Sequence, residues 1–264
     1  MGYTSHVPEL DGPDNIYNWG YPINVRNTKN VQTEELEKMA MGTFTPFLTN
    51  AMIEREGMVF IGNTLYTDFK LFGEENQAAC MMEAAHKMND FHRCTQLEKD
   101  REMKVWQVKP FTVETHAKLF RVCLGYINNR LQYLRNHNNT NPIIIVTHHC
   151  PLPFCISDKY KNDPLSAAFA SDLRWFIKKY PEIRLWCSGH VHEPYDFLYN
   201  ETRFVCEPWG YFNENNFKIE NYGKRISIQD IKSKKGWRSL LKSRLGIGVT
   251  KDYGYCDDIE DKEL

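Results

Sequence analysis

Two short stretches of this 264-residue sequence gather side chains able to ligate a metal or move a proton: Thr147-His148-His149-Cys150-Pro151 and Ser188-Gly189-His190-Val191-His192. Neutral imidazole binds Mn, Fe, Zn or Ni without cancelling the ion's charge, and its ordinary pKa lets it exchange protons near neutrality. With 9 histidines in the chain, chance alone supplies about 0.3 His-x-His pairs, so spacing by itself says little. Placement gives the motifs weight. Each follows an apolar run, PIIIVT at 142–147 and IRLWCS at 183–188, that reads as a buried strand. In layered α/β folds ligand sites form beyond the carboxyl ends of such strands. Gly189 removes a side chain where the backbone must turn, and His190 and His192, two apart, can project to one side. Together with His148 they could set three imidazole nitrogens around one pocket. For His149 two readings stand: it orients His148 or meets a phosphate, or it packs at a strand end.

The elements that must position these residues are legible in outline. MVFIG at 58–62 is a short apolar run closed by glycine, as expected of a buried strand, and a helix is expected from about Glu75 to Met88. Phe120, Leu124, Ile127, Leu131 and Leu134 step by four and three, which predicts a helix over 112–137 with Thr112 as its cap. Asp163-Pro164 suits a cap followed by a first helical residue, predicting a second helix that runs to about Tyr180. YDFLY and RFVCE alternate and are joined at Asn200-Glu201-Thr202, the pattern of a hairpin. Residues 1–50 show little periodicity apart from a short polar helical candidate at 33–41, and they form a divergent irregular segment. The domain therefore spans 51–231. A tail at 232–264 turns from basic KSKKGWRSLLKSRLG to acidic DDIEDKEL, either a solvated amphipathic helix or a contact for nucleic acid or a partner.

Composition limits the rest. Lys plus Arg number 33 against 34 Asp plus Glu, so no global positive field gathers nucleic acid or an anionic membrane, and any anionic substrate must be held locally. Eight cysteines without regular spacing, in a chain too long to need staples, read as reduced thiols and point to the cytoplasm. The opening MGYTSHVPELDG has neither a basic nor an apolar leader region, and His6 stands where myristoylation wants Ser or Thr.

VTHHCP followed by CSGHVHEPYDF resembles the last two metal-binding motifs of the calcineurin-like metallophosphoesterases, a His after one strand and Gly-His-x-His after another. FIGNTLYTDFKLFG at 60–73, MNDF at 88–91 and DPLSAAFASDL at 163–173 are similar to a bacterial and phage-type branch of that superfamily, so the resemblance covers about 50–231. It implies an α/β fold of layered, mixed β-sheets flanked by helices. It also implies a two-metal site that hydrolyses a phosphate mono- or diester, with His148 and His190 on one ion and His192 on the other. His149, Asn89 and Asp90 are the candidate catalytic residues; Asn89 and Asp90 line the cleft or brace its loops, or else cap a helix end.

The family's earlier Asp-x-His, Gly-Asp and Gly-Asn-His motifs, which supply carboxylates and bridging ligands, are not found upstream of residue 60, so the fold is expected to be incomplete on its N-terminal side. Gly62-Asn63-Thr64 aligns with a later family segment, which leaves Asn63 a structural strand-end residue, and His6, Asp11 and Asp14 match none of the motifs by spacing. Three explanations are open: a split enzyme whose partner chain brings the missing motifs, a non-catalytic descendant, or a divergent segment bringing other ligands. Glu207, where similar proteins show Asn, is either a carboxylate near the metal or a loop acid. Cys150, Cys155, Cys187 and His190 form a rival, loosely spaced zinc constellation.

Overall fold

The structure, a computed structural model, describes residues 48–99 and 105–208 together with positions 210, 226, 227, 229, 231 and 233. The 33–41 helical candidate, His6, Asp11, Asp14 and the basic-to-acidic tail lie outside the described residues.

Eight strands are described: β1 (Ala51–Arg55), β2 (Met58–Asn63), β3 (Thr95–Lys99), β4 (Trp106–Pro110), β5 (Ile143–Thr147), β6 (Ile183–Cys187), β7 (Tyr195–Tyr199) and β8 (Thr202–Cys206). Four helices accompany them: α1 (Gln77–Lys87), α2 (Asn89–Arg93), α3 (Val113–Asn136) and α4 (Arg174–Lys179). The main sheet has the order β1-β2-β5-β6-β8-β7, and β3 pairs with β4 in a small second sheet. β2, β5, β6 and β8 run parallel, while β1 and β7 close the edges antiparallel. The expected mixed α/β sheet flanked by helices is what the chain forms.

Both faces of the sheet are packed. On one, Val59, Ile61, Ile143, Ile145, Trp186 and Phe204 meet the buried stripe of α3, Phe120, Cys123, Ile127, Leu131 and Leu134. Cys123 takes the buried place expected for Leu124 on that stripe, and Leu124 packs at its margin. Thr112 caps α3 by accepting a hydrogen bond from the Thr115 amide at 3.2 Å. On the other face Met58, Ile144, Leu185, Val205 and Ile231 cluster, but Val146 on the central strand β5 stays 36% exposed.

Two departures from the sequence reading have local causes. The single helix expected over 163–180 is two pieces, a 3-10 turn at Pro164–Ala168 and α4. Between them Ala170 bridges Cys150, and the Ser171 and Leu173 amides donate to the Cys150 and Pro151 carbonyls, so backbone that a helix would use internally is spent on the neighbouring segment. β1 joins β2 through Glu56 and Gly57, both at positive φ (53° and 70°), the geometry of a two-residue hairpin turn with the favoured twist. Asn200 and Glu201 make the equivalent turn between β7 and β8, with Thr202 already in the strand.

Candidate functional site

β5 and β6 lie side by side in parallel with Val146 opposite Cys187, so the residues that follow them leave the sheet together. The Gly189 amide donates to the His148 carbonyl at 2.9 Å and fastens the two exits. A Cβ on Gly189 would meet only His148, at ordinary contact distance of 3.6 Å, and the left-handed positions are instead His190 (φ 65°) and His192 (φ 26°). The turn thus falls on the histidines rather than on the glycine. Non-glycine residues held in that region cost about 1–2 kcal/mol each, and such strain concentrates at functional sites.

Three rings meet there. The His148 and His190 centroids are 4.7 Å apart, His149 and His190 4.5 Å, and His148 and His149 5.1 Å. Phe169 stacks on His190 at 4.4 Å and 23°. His148 is exposed, His190 and His192 are half-buried, and His149 is buried. Adjacent residues on an extended chain face opposite ways. One histidine therefore looks outward while the next is enclosed.

His149 is held from several sides. Its backbone amide donates to the Thr64 carbonyl at 3.1 Å, and its Nδ1 lies 3.1 Å from the same oxygen. A carbonyl only accepts, so Nδ1 carries the proton and Nε2 keeps the lone pair. Tyr66 stacks on the ring at 5.4 Å, and the His116 ring meets it edge-on at 5.1 Å and 88°. Burial first, then the neighbouring His190, His116 and His148, hold the His149 pKa well below its ordinary 6.5. The folded state refuses a proton that the unfolded chain accepts near pH 6.5. This contribution to stability is therefore intact above that pH and is lost as pH falls toward the folded pKa, at up to about 1.4 kcal/mol per pH unit. Urea midpoints measured in chelator at pH 7.5, 6.5 and 5.5 are expected to be level over the first step and to drop over the second. In His149→Gln that drop is expected to shrink.

The loop after β2 shapes the wall beside His149. Leu65, Tyr66 and Phe69 all have positive φ (65°, 60° and 58°) and all are buried. Asn63 is fully engaged: its amide donates to Asn50 Oδ1 at 3.0 Å and to the Cys123 carbonyl at 2.9 Å, and its Oδ1 accepts from the Leu65 amide at 2.9 Å. Gly62 is required for close approach, since a Cβ there would fall 2.5 Å from Leu48 Cβ. Asn89 and Asp90 open α2 without capping it through a side chain; Asn89 is exposed and Asp90 half-buried. Phe91, next along, reaches His116 at 5.9 Å between ring centroids. Glu207 follows β8 and is half-buried.

The cysteines of the rival constellation belong to the core. Cys150 and Cys155 are buried, and Cys150 Sγ lies 3.5 Å from the Gly189 carbonyl and from the Tyr195 hydroxyl. Burial drives the Cys155 thiol well above its ordinary range, with Cys150 adding to the rise, and pushes Cys187 up to about 11. Without a bound cation both groups stay protonated at neutral pH.

Among the described residues no group of three or more His, Cys, Asp or Glu side chains is spaced to hold a metal ion. The His148 and His190 rings are close, 4.7 Å between centroids, but the described donors around them do not make up such a group. Tyr66 and Phe169 lie within the stretches at 60–73 and 163–173 without a role read for them, and His116 lies in no motif. His116 was findable, because a histidine one helical turn before Phe120 on the apolar stripe of α3 lies where a polar ring must have partners.

No helix is long and apolar enough to cross a membrane among the described residues. The chain matches no protein-family model. It is 27% identical over 183 residues to the uncharacterised protein L509 of Acanthamoeba polyphaga mimivirus, an alignment that takes in 66% of this chain and spans 58% of the viral protein's length. Among solved structures it is similar to the phosphopantetheinyl hydrolase of Mycobacterium tuberculosis, with a TM-score of 0.44 and 15% identity over 67% of this chain and 60% of the other.

Proposed function

We propose that the chain is a metal-dependent phosphoesterase of the calcineurin-like metallophosphoesterase superfamily, hydrolysing a phosphate mono- or diester through a metal-activated water in the cytoplasm. The observation that supports this reading is the meeting of His148 and His190 beyond the ends of adjacent parallel strands, with ring centroids 4.7 Å apart. In this reading His148 and His190 hold one divalent ion, Mn, Fe, Zn or Ni, and His192 holds a second. A bound ion supplies positive charge that grips the phosphate and acidifies its water. This reading requires the carboxylates of such a centre to be supplied by a divergent N-terminal segment or by a partner chain.

The chain's own residues have separable tasks. Thr64 fixes the His149 tautomer, so that neutral imidazole presents Nε2 as an acceptor at neutral pH. Phe169 braces the strained His190 by stacking. Asn89 and Asp90 stand at the start of the helix whose Phe91 packs on His116, and in this reading their task is to line the approach to the site.

A second reading, suggested by the missing Asp-x-His, Gly-Asp and Gly-Asn-His motifs, is a non-catalytic metallophosphoesterase-like subunit or the C-terminal part of a split enzyme. Metal content and turnover of an aryl phosphate and an aryl phosphodiester with added Mn separate the two. For the enzyme, His148→Ala and His190→Ala are expected to lower turnover about 100-fold, roughly 2.7 kcal/mol, and to release bound metal. Wild-type protein with less than one metal per chain and no turnover overturns it in favour of the subunit. Co-purification of a second polypeptide from the native host then identifies the split enzyme.

A further inference from the structure

His116 lies on α3, is 1% exposed, and belongs to neither histidine motif. Its Nε2 accepts from the Thr67 amide at 3.0 Å and lies 3.1 Å from the Thr67 hydroxyl. The acceptor role puts the ring proton on Nδ1. Tyr66 and Phe69 stand at 5.0 Å from its centroid, Phe91 and Phe111 at 5.9 and 6.2 Å, and His149 at 5.1 Å.

Two helical turns further along the same face of α3, Cys123 holds the other end of the loop. Its carbonyl accepts from Asn63, and its thiol contacts the Leu65 and Thr64 backbone. A rigid helix therefore pins the 63–69 loop at both ends. Between these pins sit the left-handed Leu65 and Tyr66 and the Thr64 carbonyl that fixes His149. A loop with that backbone keeps its shape only while its surroundings over-determine it. His116 thus acts on His149 by two routes, directly by ring contact and indirectly through Thr67, the loop and Thr64.

We propose that His116 is a positioning residue of the site, holding the 64–69 loop from α3 and so fixing the ring of His149 beside His190. The effect on turnover rests on the phosphoesterase reading; the effect on His149 does not.

The test compares wild type with His116→Phe and His116→Met, which fill the space without an acceptor, and with His116→Gln, which restores one. Histidine ring resonances are recorded in chelator without substrate, the His149 signals being identified by their loss in His149→Gln. The expected result is that Phe and Met abolish the slowly exchanging Nδ1 proton of His149 while Gln retains it. With metal and substrate, kcat is expected to fall about tenfold in Phe and Met with KM within about twofold, the range for residues that orient a site from behind. Unchanged His149 signals in Phe or Met overturn the proposal, whatever happens to stability. Should neither variant fold, the Thr67 amide of wild type decides. Exchange only on global unfolding supports the anchor, and exchange at the rate of an open loop removes it. Wild type without turnover but with His149 signals responding as expected sinks the phosphoesterase reading and leaves the positioning role standing.

Discussion

Replacing Trp186 by Ala is expected to destabilise the chain by about 3–5 kcal/mol, the range for removing a large ring from a close-packed core. Trp186 is fully buried on β6 in the main core cluster, stacked on Phe204 at 6.3 Å between centroids. It also carries a polar link. Its Nε1–H donates to Thr147 Oγ1 at 2.9 Å, and that hydroxyl donates to the His149 carbonyl at 2.8 Å. The indole thus ties the end of β5 to the turn that bears both histidines. Trp186→Phe keeps most of the apolar volume and loses the donor, so it is expected to cost about 1 kcal/mol for the lost bond plus a smaller packing loss. Urea unfolding followed by far-ultraviolet circular dichroism ranks the two, and equal costs would show that the hydrogen bond rather than the ring volume dominates.

Asp196→Ala is expected to cost about 3–5 kcal/mol, because it strands a charge that the fold has taken out of water. Asp196 and Arg203 are diagonal neighbours across β7 and β8, joined at 2.8 and 2.7 Å by Nε and Nη2, with side chains only 5% and 12% exposed. The paired fork geometry makes both hydrogen bonds charge-assisted. A double change to Asp196→Leu with Arg203→Met is expected to recover most of the loss, since two apolar groups of similar volume leave no charge behind. If the double variant is as unstable as the single, packing rather than the orphaned guanidinium sets the cost. Denaturant midpoints of the four combinations make that comparison as a double-mutant cycle.

Elements whose pattern is set by deep burial on one or both sides were legible from residue types. The α3 stripe, the β-branched run of β5 and the Ile-Arg-Leu-Trp-Cys of β6 each carry their period in the chain itself. What was hidden is mostly decided by contacts across long separations. β1 reads Ala-Met-Ile-Glu-Arg with three partly buried and two exposed positions, and its turn uses Glu56 at positive φ, where Asn or Asp would have signalled a hairpin. Among the described residues β3 and β4 pair with each other, and β3, Thr-Gln-Leu-Glu-Lys, carries little apolar alternation. Within the site, the nearness of His148 to His190 follows from strand ends that could be read. The enclosure of His149 by Thr64, Tyr66 and His116 depends on a left-handed loop whose residues, Leu65, Tyr66 and Phe69, are not ones that usually advertise that backbone. Gly189 misled for the same reason, because the residues that bend are its histidine neighbours.

The strand order also sets the timing of assembly. β2 must wait for β5 until the whole of α1 to α3 has been made, and β5 then waits for β6, so high contact order governs the centre of the sheet. A nascent chain that has been made only as far as β5 leaves the β6-facing edge of that strand open to any passing strand. Because His190 follows β6, a molecule stalled before β6 emerges lacks the histidine pair and is at once siteless and sticky.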